Sequence, residues 1–132
     1  MKKSLLVFIF LFPVLCLQAQ ETEINGCQVT VYHTWDKSSS TSFYAYGDVY
    51  VETDPTKSVD LYVEIVNQSQ FSDFCVYKTT DTPKECCEWR FVTDRNKARF
   101  TIRYVKEHAD CYVYFVKERK DAQTNYLVRD RH

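Results

Sequence analysis

The chain has 132 residues, a formal net charge of −1 and 16% aromatic residues, with only two glycines and three prolines. This length has room for one small domain. The near balance of acidic and basic residues excludes the continuous basic stripe of a nucleic-acid-binding protein and the cationic patch of a membrane-surface protein.

The first segment, residues 1–19, is predicted to be a secretory signal peptide. Two lysines follow the initiator methionine, and residues 5–17 form an almost unbroken apolar run that is shorter than the roughly 20 residues of a membrane-spanning helix. Lipidation at Cys16 is not expected, because Leu15 stands where lipoprotein processing prefers a small residue. No second apolar span follows, so the mature protein is expected to be secreted or periplasmic, without a membrane span.

Residues 20–26 are predicted to be a short N-terminal lead and residues 27–132 an all-β domain. Aromatic and β-branched residues dominate short runs, several of which alternate with period two. The predicted strands are 29–35, 49–53, 61–66, 74–78, 89–92, 100–105, 111–117 and 126–128. Charged and polar connections join them, with single helical turns expected around 96–98 and 120–122.

A serine-rich stretch interrupts the first half of the domain and is predicted to be a loop. Four aromatic residues cluster around it: Trp35, Phe43, Tyr44 and Tyr46. Flat aromatic faces can stack on sugars or anchor a protein partner, and loops held by a rigid scaffold are where binding usually resides. These residues form the candidate binding surface; the alternative is that they pack in the core, where aromatics also dominate.

Five cysteines follow the predicted signal peptide, namely Cys27, Cys75, Cys86, Cys87 and Cys111. In an oxidising compartment they are candidates for disulfides, and five cysteines allow two bridges with one left over. Adjacent side chains point to opposite faces of an extended strand, so Cys86 and Cys87 are each expected to pair with a distant partner. Cys75 and Cys111 are the preferred partners; a vicinal redox switch is the alternative.

The sequence has no recognisable catalytic, metal or cofactor motif. There is no Gly-x-Ser-x-Gly, no phosphate-binding glycine loop and no His-Glu-x-x-His. Only His33, His108 and His132 could act as general bases near neutral pH. Cys86 and Cys87 lack the two-residue gap usual between zinc-binding cysteines. We therefore expect no catalytic residues, metal or cofactor.

Three similar segments fill the C-terminal half. Each runs from a large apolar residue through a charged stretch to an alanine seven positions later, and the three end at Ala98, Ala109 and Ala122. A repeat this short holds one strand and one turn, so it needs neighbours to bury its apolar face. The alanines are expected to be buried at the turns. Weaker matches and one degenerate cysteine-bearing unit bring the expected number of units to seven; the weaker matches are 31–38, 51–58 and 65–72.

Residues 89–98, 102–110 and 114–122 resemble the 7(1) septoil knot family, small bacterial domains with repeats of the kind aromatic-Phe-Val-Lys-x-x-x-x-Ala-Asp. The resemblance implies a compact all-β domain that winds repeatedly in one sense and closes a torus knot of seven crossings. It implies no catalytic residues. The five cysteines and the insertion-like stretches 38–46 and 79–88 depart from the family.

The expected function is therefore a non-catalytic structural or binding module that contacts an unidentified protein or glycan. The alternative is a thiol-based redox protein, or a small secreted enzyme, that uses Cys86 or Cys87 as its nucleophile.

Overall fold

The computed structural model describes residues 21–125, which form two sheets around one hydrophobic core. The predicted signal peptide and the predicted strand 126–128 lie outside these residues. The all-β prediction is confirmed, because the described residues contain ten strands and no helix longer than three residues. Within this part of the chain, no helix is long and apolar enough to cross a membrane.

The first sheet is antiparallel, with the order β1-β2-β3. Its strands are Glu21–Asn25 (β1), Gln28–Tyr32 (β2) and Ser40–Tyr44 (β3). The predicted lead therefore contains a strand, and the predicted loop contains another. The sequence analysis missed both strands because each has only two inward-facing positions, which is too short an alternation to recognise.

The second sheet is a closed barrel of six parallel strands. Its strands are Gly47–Val51 (β4), Leu61–Ile65 (β5), Phe74–Lys78 (β6), Glu88–Phe91 (β7), Phe100–Tyr104 (β8) and Cys111–Val116 (β9). A short strand, Gln123–Thr124 (β10), pairs antiparallel with β6. All six barrel strands overlap predicted strands.

Around the barrel the strands follow the order β4, β8, β5, β9, β6, β7, and β7 pairs again with β4. Strands that are consecutive in the chain therefore mostly lie two positions apart, and β8 and β9 fill places between earlier strands. This interleaving is what repeated winding in one sense requires. The knot of seven crossings stays a prediction. The predicted unit 31–38 is wrong, because it leads into the antiparallel hairpin between β2 and β3 and not into the barrel.

Trp89 lies at the centre of the core that the two sheets share. It is fully buried, and its ring contacts those of Phe91, Phe100 and Phe115 edge-on at centroid distances of 6.0, 5.5 and 6.3 Å. Its indole Nε1 donates to the carbonyl of Ala45 at 2.9 Å. Ala45 lies between β3 and β4, so this bond ties the barrel core to the connection between the sheets.

The repeated turns have a common form in three places. The 3-10 helices Ser69–Phe71, Arg95–Lys97 and Arg119–Asp121 are each followed by a small residue in extended conformation, namely Ser72, Ala98 and Ala122. The two predicted helical turns are confirmed, one residue earlier than expected. Ala98, Ala109 and Ala122 are only partly buried, so the prediction of buried alanines is wrong: they lie at the barrel rim, just before a strand begins, and not inside it.

An aspartate stands directly before each of three barrel strands, β5, β6 and β9, and makes two hydrogen bonds to a neighbouring strand. The backbone N–H of Asp110 donates to the carbonyl of Tyr62 at 2.7 Å, and its carboxylate accepts from the N–H of Tyr62 at 2.8 Å. The same two hydrogen bonds join Asp73 to Tyr112 and Asp60 to Thr101. Each aspartate thus supplies a donor, its backbone N–H, and an acceptor, its carboxylate, to the neighbouring strand. This structural role explains the Ala-Asp ending of the repeat.

Candidate binding surface at the junction of the two sheets

A disulfide joins the two sheets. Cys27, in the turn between β1 and β2, is bonded to Cys86, which precedes β7; their Cα atoms are 5.5 Å apart and the residues are 59 positions apart in the chain. The expectation that Cys86 pairs with a distant cysteine is confirmed. Its partner, however, is neither of the two preferred ones.

Cys75, Cys87 and Cys111 are buried and take no part in the bridge. The described residues therefore show one bridge, and the second stays a prediction. Cys111 lies in the barrel core with Val113, whereas Cys75 lies in register with Tyr114. Because successive strand residues point to opposite faces, the two preferred partners face opposite sides of the sheet. The Cys75 thiol accepts a hydrogen bond from Asn125 Nδ2 at 3.3 Å.

The adjacent cysteines are close but unequal. The Sγ atoms of Cys86 and Cys87 are 3.3 Å apart. Burial, with a smaller effect from Cys75, raises the pKa of the Cys87 thiol to about 12. The thiolate is the nucleophile in thiol chemistry, and at neutral pH Cys87 keeps its proton. Among residues 21–125, no three His, Cys, Asp or Glu side chains are arranged to hold a metal ion.

The four predicted surface aromatics do not form one patch. Phe43 packs against Phe100 with a centroid distance of 5.0 Å and contributes to the core. Trp35, 59% exposed, lies in the hairpin between β2 and β3. Tyr44, 49% exposed, ends β3, and four residues of strand span about 13 Å. Trp35 and Tyr44 are therefore at opposite ends of the sheet. Tyr46 lies beside Tyr44.

Tyr44 and Tyr46 share a cation that the sequence analysis did not identify. Their ring centroids are 6.3 Å apart, and the Arg99 guanidinium carbon lies 4.7 Å from the Tyr46 centroid and 5.9 Å from that of Tyr44. The signal was present in the repeat, since Arg99 follows Ala98 where the second unit has Asp110 after its alanine.

Two exposed amides continue this surface across the outer face of the first sheet. Asn25 is in register with Gln28, and Gln28 with Tyr44. All three side chains are exposed, and a row across three strands covers about 10 Å. The junction surface, as we name it, consists of five residues: Asn25, Gln28, Tyr44, Tyr46 and Arg99.

The disulfide begins in the two-residue turn that joins Asn25 to Gln28, at one end of the junction surface. Cys27 stands between Gly26 and Gln28 in the β1–β2 turn, and its carbonyl accepts from the N–H of Ala45 at 2.8 Å. The bridge to Cys86 therefore anchors the row of amides to the barrel, which carries Arg99. An anchored surface loses less conformational freedom when a ligand binds.

Comparison with known proteins places the barrel in a family. The family model of the 7(1) septoil knot domain matches residues 43–125. Searches of curated proteins and of solved structures found no match. The matched region begins in β3 and includes all six barrel strands, so β1, β2 and most of β3 lie outside it. With well over half of its length matched, the chain belongs to the 7(1) septoil knot domain family.

Proposed function

We propose that this protein is a non-catalytic binding module, secreted or periplasmic, that recognises a saccharide through the junction surface. The observation that carries the proposal is the exposed row of Asn25, Gln28 and Tyr44, which continues to Tyr46 and Arg99. A tyrosine offers an apolar ring face with a polar tip. Each amide offers both hydrogen-bond donors and an acceptor, which suits a ligand with many hydroxyl groups.

The amides of the junction surface are available to a ligand. No hydrogen bond within the described part of the chain engages the side chain of Asn25 or Gln28. By contrast, the next row of the same face is internally bonded, since the hydroxyl oxygens of Thr30 and Ser42 are 2.9 Å apart. The unbonded polar groups are thus concentrated beside the aromatic pair.

A thiol-based redox function is the second candidate, and the 3.3 Å separation of the Cys86 and Cys87 sulfurs favours it. Attack of Cys87 on the bridge would need its thiolate. Because burial raises the pKa of Cys87 to about 12, that thiolate is scarce at neutral pH. We therefore assign the bridge a structural role.

The test is binding of the full-length protein to a panel of immobilised neutral and acidic oligosaccharides. Tyr44→Ala and Tyr46→Ala should each weaken binding by about tenfold, as expected for an aromatic anchor. Tyr112→Ala is the matched control, since Tyr112 is 38% exposed on the barrel, and it should leave binding unchanged. Trp35→Ala should do the same, because Trp35 lies at the far end of the sheet.

Folding of each variant is checked by its unfolding midpoint. The proposal is overturned if no saccharide binds, or if folded Tyr44→Ala and Tyr46→Ala variants bind as the wild type does. Loss of binding in Trp35→Ala alone would move the site to the hairpin and would also contradict it.

A further inference from the structure

Arg99 breaks the structural rule of the repeat. Where Asp60, Asp73 and Asp110 bond twice to a neighbouring strand, Arg99 makes only the backbone half of the pair, its N–H donating to the carbonyl of Asp48 at 2.7 Å. The hydrogen bond that an aspartate carboxylate would accept is absent, and the exposed guanidinium of Arg99 stands in its place. At Arg99 the barrel rim thus lacks the carboxylate bond that these three aspartates make.

The backbone beside Arg99 is shaped to admit its side chain. Gly47 has a φ of +122°, and a Cβ atom added there would lie 2.7 Å from Cδ of Arg99. Any other residue would be strained at that φ and would meet the arginine side chain. Gly47 therefore leaves the space in which Arg99 lies over the Tyr46 ring.

The charge of Arg99 is not neutralised within residues 21–125. The carboxylate of Asp48, its neighbour across the rim, is bonded by Arg90 through two contacts of 2.7 and 3.1 Å. Among residues 21–125, no carboxylate is within ion-pair distance of Arg99. A guanidinium stacked on an aromatic face keeps its N–H groups at the edge, where they can bind a carboxylate in bidentate fashion.

We propose that Arg99 binds the carboxylate of an acidic saccharide, a hexuronate, held on the junction surface. The sugar ring lies against Tyr44 and Tyr46, and its hydroxyl groups bond the amides of Asn25 and Gln28. This inference rests on the proposed function and specifies its ligand class. One cation matches the single negative charge of each hexuronate, and the surrounding amides favour a sugar over a polyanionic peptide.

The inference also accounts for the position of the disulfide. The carboxylate would bind to a barrel residue, Arg99, while the hydroxyl groups would bind to sheet residues, Asn25 and Gln28. The Cys27–Cys86 bridge fixes the sheet relative to the barrel, so it sets the distance between the two halves of the site.

Calorimetric titration of the full-length protein with trigalacturonate, with its methyl ester and with a hexaglutamate peptide tests the inference. The wild type should bind the acid at least tenfold more tightly than the ester, since a hydrogen bond to a charged group contributes about this much. Arg99→Gln should bind the acid as weakly as the wild type binds the ester. Lys97→Gln removes an exposed charge two residues away and should have no effect.

Each other result overturns a stated part of the account. Equal wild-type binding of acid and ester would overturn the role of Arg99 and leave the proposed function in place. Tight binding of hexaglutamate without binding of either sugar would overturn the saccharide assignment. Absence of binding to the acid would overturn the inference, and the wider oligosaccharide panel would then decide the proposed function. If Arg99→Gln does not fold, the acid and ester arms with wild-type protein still decide.

Discussion

The barrel and the three-stranded sheet satisfy their backbone hydrogen-bonding groups in different ways. The barrel closes on itself, with each parallel strand between two others and with aspartates bonding its rim. The sheet is open: β2 has two partners, whereas β1 and β3 have one each among residues 21–125. It depends instead on packing Ile24, Val29 and Val31 into the common core and on the Cys27–Cys86 bridge.

The difference teaches where to look for function in this fold. Repeated positions of the barrel serve closure and vary little in role. Two positions that depart from the repeat, Arg99 at the rim and Cys86 before β7, contact or anchor the added sheet. The candidate site lies between the two regions and uses residues from both.

The largest expected effect comes from the core residue that both regions share. Trp89→Ala should lower the free energy of unfolding by about 3–5 kcal/mol, as for a fully buried aromatic residue, and should also remove the bond to Ala45. Equilibrium denaturation measures it. Trp35→Ala is the matched control and should change stability by no more than about 0.5 kcal/mol, because the side chain is exposed. Similar losses in both variants would contradict the described core.

The second effect concerns the covalent link between the regions. The double variant Cys27→Ala/Cys86→Ala should lose about 2–4 kcal/mol of stability, in line with a bridge that closes a long loop. Equilibrium denaturation of the double variant and of reduced wild-type protein should agree. Unchanged stability in both would show that packing alone holds the sheet.

A smaller effect is expected at the turns of the repeat. Ala109→Leu should cost about 1 kcal/mol, at the low end for overpacking, because Ala109 is only partly buried at the rim. Ser72→Leu, at the fully buried equivalent in an earlier unit, should cost clearly more. Unfolding midpoints of the two variants measure the contrast, and the reverse order would refute the assigned equivalence of the two turns.

The smallest effect is a change in pH dependence at the contact between the regions. Burial raises the pKa of Asp110, against smaller lowering effects of the Tyr62 N–H and the charge of His33 in the hairpin between β2 and β3. The folded state then binds the proton more tightly, so stability falls as the pH rises from the unfolded pKa to the folded one. Asp110→Asn should remove this decline.

Urea unfolding at a series of pH values above 3.8, the ordinary pKa of this carboxyl, measures the slope. Glu52→Gln should change the pH dependence in the opposite direction. The pKa of Glu52 is lowered, mainly by the hydrogen bond from the Asp54 N–H and to a smaller extent by Arg95. Wild-type Glu52 stabilises the fold above its unfolded pKa, and that stability is lost as the pH falls. Parallel curves for wild type and Asp110→Asn would contradict the assigned environment.

The barrel was largely predictable from the sequence, and the sheet was not. Runs such as 61–65 and 111–116 alternate apolar and polar residues because one side faces the barrel core. β3 has serines on its outer side and only Thr41 and Phe43 inward, so local pattern could not separate it from a loop. The partner of Cys86 depends on how distant segments meet, which spacing does not encode.

The candidate site was half predictable for the same reason. Tyr44 and Tyr46 were recognised as surface aromatics by composition, but Phe43 and Trp35 could be assigned only once strand β3 was known. Arg99 was overlooked because its significance lies in a comparison between repeat units, as a departure from the aspartate rule.

Hydrogen exchange resolved by peptide, measured on wild-type protein before and after reduction of the Cys27–Cys86 bridge, tests the relation between the two regions most directly. The account predicts that amides of β1, β2 and β3 lose protection on reduction, while those of the six barrel strands keep it. Equal loss in both regions, or full protection of the sheet after reduction, would contradict the view that a self-closed barrel carries a covalently tethered sheet.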